Sequence, residues 1–165
     1  MTSSQAPRTI GTMATPRIEG FGHIDFSVTD GERSAQWWTE VLGFRLLATF
    51  GRPGFRVWSM DHPSGLPVGL VVHEKSTGDG FDERVVGLDH LAFRVRDRPT
   101  LEQWAAHLDA LGVAHSGVQE ENGGPLITLR DPDNIQVELW AFDPSQVKLG
   151  KGTDRDLFFE FHGPR

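Results

Sequence analysis

The side chains able to do chemistry in this 165-residue chain are seven histidines, the carboxylates, Ser and Thr, and Lys and Arg, because there is no cysteine and no tyrosine. The first absence removes disulfides, thiolate zinc sites, iron–sulfur clusters and a cysteine nucleophile. The second removes a phenolic acid or base. Two histidines stand in matching surroundings, His23 within GFGHIDFSV and His90 within GLDHLAFRV, 67 positions apart. A third candidate, Glu138, lies in IQVELW. Two imidazoles and one carboxylate form a facial triad that leaves coordination positions open for water, oxygen or a chelating substrate. Such nitrogen and oxygen ligation suits Fe(II), Mn(II), Co(II), Ni(II) or Zn(II). A formal charge of −7 does not oppose a bound dication.

The elements that must position these residues are legible from periodicity. Ile24, Phe26 and Val28 alternate with His23, Asp25 and Ser27, the period of a strand with one apolar face. Residues 32–42 carry Trp37, Trp38, Val41 and Leu42 at helical spacing and stop at Gly43, a C-cap residue. Strands are predicted at about 44–50, 54–60 and 67–74, separated by turn compositions at 51–54 and 61–65. Residues 87–113 then restate residues 20–44, pairing Phe93 with Phe26, Val95 with Val28, Asp97 with Asp30 and Trp104 with Trp37. Further strands are expected at about 113–118, 125–130 and 134–140, with a linker at 76–87 and a tight turn at Arg130–Asn134.

Alternation assigns the faces. Leu91, Phe93 and Val95 lie on the helix side, opposite His90, Ala92 and Arg94. Ile135, Val137 and Leu139 do the same, leaving Gln136, Glu138 and Trp140 with the histidines. The three metal-ligand candidates, His23, His90 and Glu138, are therefore expected on one concave surface. Asp25, Arg94 and Gln136 share it as groups to orient substrate or hold the imidazoles. Trp140, with Trp58 or Phe55, would add an aromatic wall, whereas Trp37, Trp38 and Trp104 belong to helix packing. Val68, Leu70 and Val72 form another helix-facing set, so His73 faces the cup as a candidate acid or base.

A hydrophobic fraction of 38% and a charged fraction of 24% sit near globular averages, so neither a disordered nor a membrane-spanning chain is expected. The acidic balance argues against nucleic acid and anionic membranes as partners. Residues 1–19 read as a disordered leader without the features of a secretory signal, and a cytoplasmic protein is expected. Residues 143–165 form an extension whose Leu157–Phe161 cluster should pack on the barrel or on a second subunit. There is no G-x-S-x-G or H-E-x-x-H, and Gly150–Thr153 lacks the spacing of a phosphate-binding loop.

The repeat with His23, His90 and Glu138, the Leu42-Gly43-Phe44 helix exit and the Asp131-Pro132-Asp133-Asn134 turn resembles the vicinal oxygen chelate superfamily over about residues 20–142. That group includes glyoxalase, fosfomycin-resistance thiol transferases, methylmalonyl-CoA epimerase, bleomycin-resistance proteins and extradiol dioxygenases. The resemblance implies an α+β fold: two βαβββ modules, about 20–75 and 87–142, forming a partly closed barrel-like cup of mixed sheet with helices outside. It implies one divalent metal ion, Fe(II) foremost and otherwise Mn(II), Ni(II), Co(II) or Zn(II), on His23, His90 and Glu138. Catalytic roles would fall to Glu138 and His73, acting on a small-molecule substrate in a homodimer. The sequence departs from the pattern where a fourth ligand is expected, since that slot is Gly69 or Val71. Three ligands fit a dioxygenase or lyase that chelates a small oxygenated substrate, although the absence of tyrosine departs from the extradiol enzymes. Gln119–Pro125 shows no counterpart of the transferases' cation-binding loop. The competing expectation is a metal-free, bleomycin-resistance-like protein that sequesters a drug.

Overall fold

The computed structural model describes residues 15–76 and 80–152. Residues 1–14 of the expected leader and the Leu157–Phe161 cluster lie outside the described residues, and 15–19 are exposed coil. The first module runs β1 (Ile24–Ser27), α1 (Gly31–Leu42), β2 (Arg45–Arg52), β3 (Phe55–His62) and β4 (Leu66–His73). The second repeats it with β5 (Leu91–Arg94), α2 (Arg98–Ala110), β6 (Gln119–Glu121), β7 (Gly124–Arg130) and β8 (Gln136–Trp140). Each module folds into a four-stranded mixed sheet, in the orders β1-β4-β3-β2 and β5-β8-β7-β6. The two sheets stay separate, so among the described residues the cup is open and no barrel closes.

Local chemistry explains the helices. Asp30 caps α1 by accepting from the Glu32 and Arg33 amides, and Gly43 ends it in the left-handed conformation at φ 77°. Gly31 is required because the Trp58 ring lies flush on it: a Cβ there would sit 2.2 Å from the ring. Asp97 caps α2 through Thr100. The strand expected at 113–118 is instead coil with one bridge from His115 to Leu129. Gly112 and Gly117, at φ 67° and 70°, turn the chain there, so contact with β7 is limited to His115 and Ser116 until the β6 ladder begins at Gln119.

The apolar sets pack as alternation requires. Phe26, Val28, Val68, Leu70, Ile135, Val137 and Leu139 are buried with Trp38, Leu101 and Leu108 in one core shared by both modules. Trp38 and Phe44 of the first module both meet Phe93 of the second, with ring centroids 6.3 and 5.8 Å away.

The modules are joined by two buried carboxylates of the β7–β8 turn. Asp131 Oδ1 accepts the Asp133 and Ile135 amides at 2.9 and 2.8 Å, shaping the turn, and its Oδ2 accepts the Trp38 indole N–H at 3.2 Å. Asp133, 4% exposed, accepts from the Thr29 amide and hydroxyl, the Ser34 hydroxyl and the Arg33 guanidinium. Burial pushes the Asp133 pKa up, but the Thr29 and Ser34 donors and the Arg33 charge outweigh it, leaving the carboxyl below its ordinary value. For Asp131 burial prevails over its amide and indole donors, and the carboxyl titrates above its ordinary value.

The opposite shifts give opposite pH signatures. Asp133 contributes stability that is present above the unfolded carboxylate pKa and lost as pH falls through the folded value; Asp131 contributes stability that is lost as pH rises through its folded value. Chemical denaturation across the acid range is expected to show the cost of Asp133→Asn growing as pH rises toward about 4, and the cost of Asp131→Asn shrinking as pH rises above about 4. At neutral pH Asp133→Ala is expected to lose about 3 kcal/mol, since it strands Thr29, Ser34 and Arg33 at a buried contact.

Candidate functional site

Cross-strand register places the chemistry on the sheet faces turned away from the helices. In the second module Ala92 and Thr128 flank Glu138, Arg94 and Leu126 flank Trp140, and Arg130 pairs with Gln136. His90, immediately before β5, turns its Nε2 to Glu138 Oε2 at 3.5 Å. Its other ring nitrogen, Nδ1, lies 2.6 Å from Asp89 Oδ1. An ionised carboxylate only accepts, so Nδ1 donates to Asp89, which in the neutral ring leaves Nε2 as the nitrogen free to bind a metal.

Glu138 is itself held. Gln136 Nε2 donates to Glu138 Oε1 at 3.3 Å, and Gln136 Oε1 accepts from Arg130 at 2.9 Å. Arg130 is fixed by a two-pronged ion pair to Glu83, at 3.0 and 2.8 Å. The Arg130 hydrogen bonds and charge hold the Glu83 pKa at about 2. Gln136, expected among the substrate groups, is thus a bridge that orients Glu138. The Glu83–Arg130 end of the chain was missed by sequence reasoning, because Glu83 lies in the connecting segment, where no periodicity assigns a face.

The first module carries the other candidates. His23 and Asp25 share the open face of its sheet, with His23 Nε2 3.9 Å from Asp25 Oδ2. They line a groove of about 420 Å³ together with Phe50, Arg52, Phe55 and Gly69. His23 makes no ion pair with Glu138, and among the described residues no three His, Asp or Glu side chains converge as a metal-holding group. The donors therefore come as two pairs on two sheets, His23 with Asp25 and His90 with Glu138.

Other expectations resolve by position. Trp58 is buried against α1 and does not line the groove, where the aromatic groups are Phe55 and Phe50. Trp140 donates its indole N–H to the Gly124 carbonyl at 3.1 Å and packs on Phe142, over which Arg94 also lies. Arg94 donates to the Phe142 carbonyl at 3.3 Å. His73, exposed at the end of β4, lines a concavity of about 960 Å³ between β1 and the connecting segment. That concavity holds none of His23, His90 or Glu138, and donor chemistry rather than volume locates the candidate site.

With the fold and these distances in view, comparison with known proteins is informative. Residues 20–139 match the family model of the Glyoxalase/Bleomycin resistance protein/Dioxygenase superfamily. Among solved structures, a glyoxylase/bleomycin resistance protein/dioxygenase domain from Frankia sp. EAN1pec is 31% identical with a TM-score of 0.71, covering 76% of this chain and 99% of that one. The fosfomycin resistance protein FosX from Listeria monocytogenes, in complex with Mn(II) and sulfate, is 20% identical with a TM-score of 0.59, covering 79% and 98%. The trypanothione-dependent glyoxalase I of Leishmania major is 24% identical with a TM-score of 0.56, covering 72% and 83%.

The Asp89–His90 contact makes a spectroscopic prediction. Nitrogen-15 NMR of the neutral ring is expected to find His90 in the Nδ1–H tautomer, shifting toward the Nε2–H tautomer common in free histidine when Asp89 is replaced by Ala. An unchanged tautomer in Asp89→Ala would remove Asp89 as the group that orients the ring.

Proposed function

The chain belongs to the Glyoxalase/Bleomycin resistance protein/Dioxygenase superfamily, and from that premise we propose that it is a divalent-metal-dependent enzyme, of dioxygenase or lyase type, acting on a small oxygenated organic substrate. The observation that carries the reading is the His90–Glu138 pair, with Nε2 aimed at a carboxylate oxygen and Nδ1 anchored by Asp89. Metal-ligating histidines almost always donate their other N–H to such an acceptor, and a hydrogen-bonded carboxylate completes the pattern here. The donor set of imidazole nitrogen and carboxylate oxygen fits Fe(II), Mn(II), Ni(II), Co(II) or Zn(II). That FosX has been crystallised with Mn(II) supports the same choice of group.

In this reading His90 and Glu138 hold the ion, and His23 supplies the third donor. When bound, the ion acts as a Lewis acid that stabilises negative charge developing on chelated substrate oxygens. The protein's part is positional. Asp89 keeps the His90 tautomer, the Glu83–Arg130–Gln136 chain holds Glu138 in one orientation, and the Trp140–Phe142–Arg94 wall borders the second sheet's face. Because His23 stands on the other sheet, a second copy of the chain is proposed to bring its His23 to the His90–Glu138 pair, making the functional unit a homodimer.

Two measurements test this. Mass spectrometry on protein purified without air and reloaded with one candidate ion at a time is expected to find about one divalent ion per chain, lost in each of His23→Ala, His90→Ala and Glu138→Ala. Co-refolding His23→Ala chains with Glu138→Ala chains is expected to restore metal, because a mixed dimer regains one site with all three donors. Failure of that mixture, with the single variants still metal-free, would place the site within one chain. A wild type that takes up no ion would overturn the metalloenzyme reading and leave metal-free sequestration of a small molecule.

A further inference from the structure

Beyond the Trp140–Phe142–Arg94 wall the second sheet ends in a groove of about 630 Å³, formed where β5 runs toward α2 and β8 into the chain that follows it. Its cationic lining is Arg94, Arg96 and Arg98, three arginines within five residues of a chain whose net charge is −7. The carboxylates beside them are engaged elsewhere. Asp97 caps α2 by accepting from the Thr100 amide and hydroxyl, Asp143 accepts from Ser145 and Gln146, and Glu120 pairs with Arg98. Arg94 donates to the Phe142 carbonyl and lies over the Phe142 ring, 5.9 Å from its centroid, while Arg96 is exposed. Among the described residues no carboxylate accepts a hydrogen bond from Arg94 or Arg96. Guanidinium planes pair with carboxylates and stack on rings, so this lining suits an occupant that is both acidic and aromatic.

The chain carries such a segment. Past β8 it forms the far side of the groove at residues 142–146. It is then tied to the β6–β7 turn by the Asp143 amide on the Gly123 carbonyl and the Lys148 amide on Asn122 Oδ1, both at 2.7 Å. It turns at Lys151 and Gly152, the latter at φ 84°, where the described residues end, six positions past the groove wall at Gln146. Residues 153–161 read TDRDLFFEF, with Asp154, Asp156 and Glu160 against one arginine and with Leu157, Phe158, Phe159 and Phe161. Nine extended residues span up to about 30 Å, several times the breadth of a groove of this volume. Four large apolar side chains in five positions call for a surface to cover them, and the acids among them match the charge of the groove.

We infer that the groove is the docking site of residues 154–161 of the same chain, with their carboxylates on Arg94 and Arg96 and their rings on the guanidinium planes and the phenyl wall. The short tether favours this chain over a second copy: it holds the segment at an effective concentration in the millimolar range, above that of another molecule in dilute solution. The competing surface is β2, where Leu46, Leu47 and Phe50 are exposed between Arg45 and Arg52, but it belongs to the other module. The docked segment covers the outer end of the wall beside Glu138, so an anion approaching Arg94 has first to displace a carboxylate of the chain itself. Docking of this kind needs no metal and stands apart from the metal-dependent reading.

Because the sequence contains no cysteine, His162→Cys allows one nitroxide to be attached to the full chain. With the nitroxide and nitrogen-15 in the same molecule, diluted in unlabelled chain, the amide signals of Arg94, Arg96, Phe142 and Gln146 are expected to broaden. With the two labels on separate molecules they should not. Arg94→Glu/Arg96→Glu should abolish the broadening and let a glutamate-specific protease cut after Glu160 about tenfold faster. Adding Asp154→Arg/Asp156→Arg should restore both readings, which simple loss of folding would not allow. Broadening along Arg45–Arg52 instead, broadening only between separate molecules, or no localised broadening in the otherwise wild-type chain would each overturn the assignment. Wild-type broadening and cleavage in the charge-reversed variant would overturn it as well.

Discussion

Everything at the candidate site depends on how one small domain fixes the relation of its two half-sheets, and that relation is set by two buried carboxylates on one turn. Asp131 and Asp133 receive donors from α1 and the loop before it, roughly a hundred residues away in the chain. Polar contacts of this kind are directional where the apolar core beside them is not. The Trp38 ring tolerates small slides against Phe26, Phe44 and Phe93, but its indole N–H reaches Asp131 in one place only. The turn that carries these carboxylates leads directly into β8. The clamp between modules therefore also sets where Glu138 begins.

From there the positioning passes through short covalent and hydrogen-bonded steps. Two residues after the start of β8 comes Glu138, tied by Gln136 to Arg130 at the end of β7 and by Arg130 to Glu83. Glu83 belongs to a segment that is itself tethered to the turn, through Phe81 and the Asp133 carbonyl and through Asn134 and the Phe81 carbonyl. The connection between modules thus serves as the outer support of the acid as well as a link between repeats. Helix packing, module docking and site geometry converge on residues 130–138.

Much of this was legible in the sequence because period and repetition are strong signals. The strand period assigned His23, Asp25, His90, Gln136 and Glu138 to faces away from the helices, and the Gly43 cap and the Asp131–Asn134 turn were readable from residue type alone. Three things were not legible. A period of two gives a face but not a register, so it left the vacant slot open between Gly69 and Val71, and only pairing with Asp25, as Glu138 pairs with Ala92, singles out Gly69. A face is also not a shared face: alternation placed three donors on the concave side of their own sheets, while the dihedral relation of two sheets depends on long-range packing that no local pattern encodes. Finally, the short strand β6 was anticipated several residues too early, because Gly112 and Gly117 read as ordinary loop glycines until their positive φ values show the chain turning twice.

The separation of the donors into two pairs has an energetic consequence under the proposed reading. Each pair has too few donors to hold a cation firmly alone, and the first is also exposed: His23 and Asp25 are 67% and 48% exposed, against 40% and 13% for His90 and Glu138, and a two-donor contact in water gains little over hydration. Affinity arises only where both faces meet around one ion. Whatever closes the faces is then coupled to the metal by linkage, since an ion that binds the closed form in preference to the open one must stabilise the closed form by the same free energy. If a second chain does the closing, metal occupancy and dimer stability rise together, and the net negative charge carried by each copy opposes association until the cation neutralises the carboxylates at the seam. The acidic composition would then act as a brake on metal-free assembly, with solubility as its by-product.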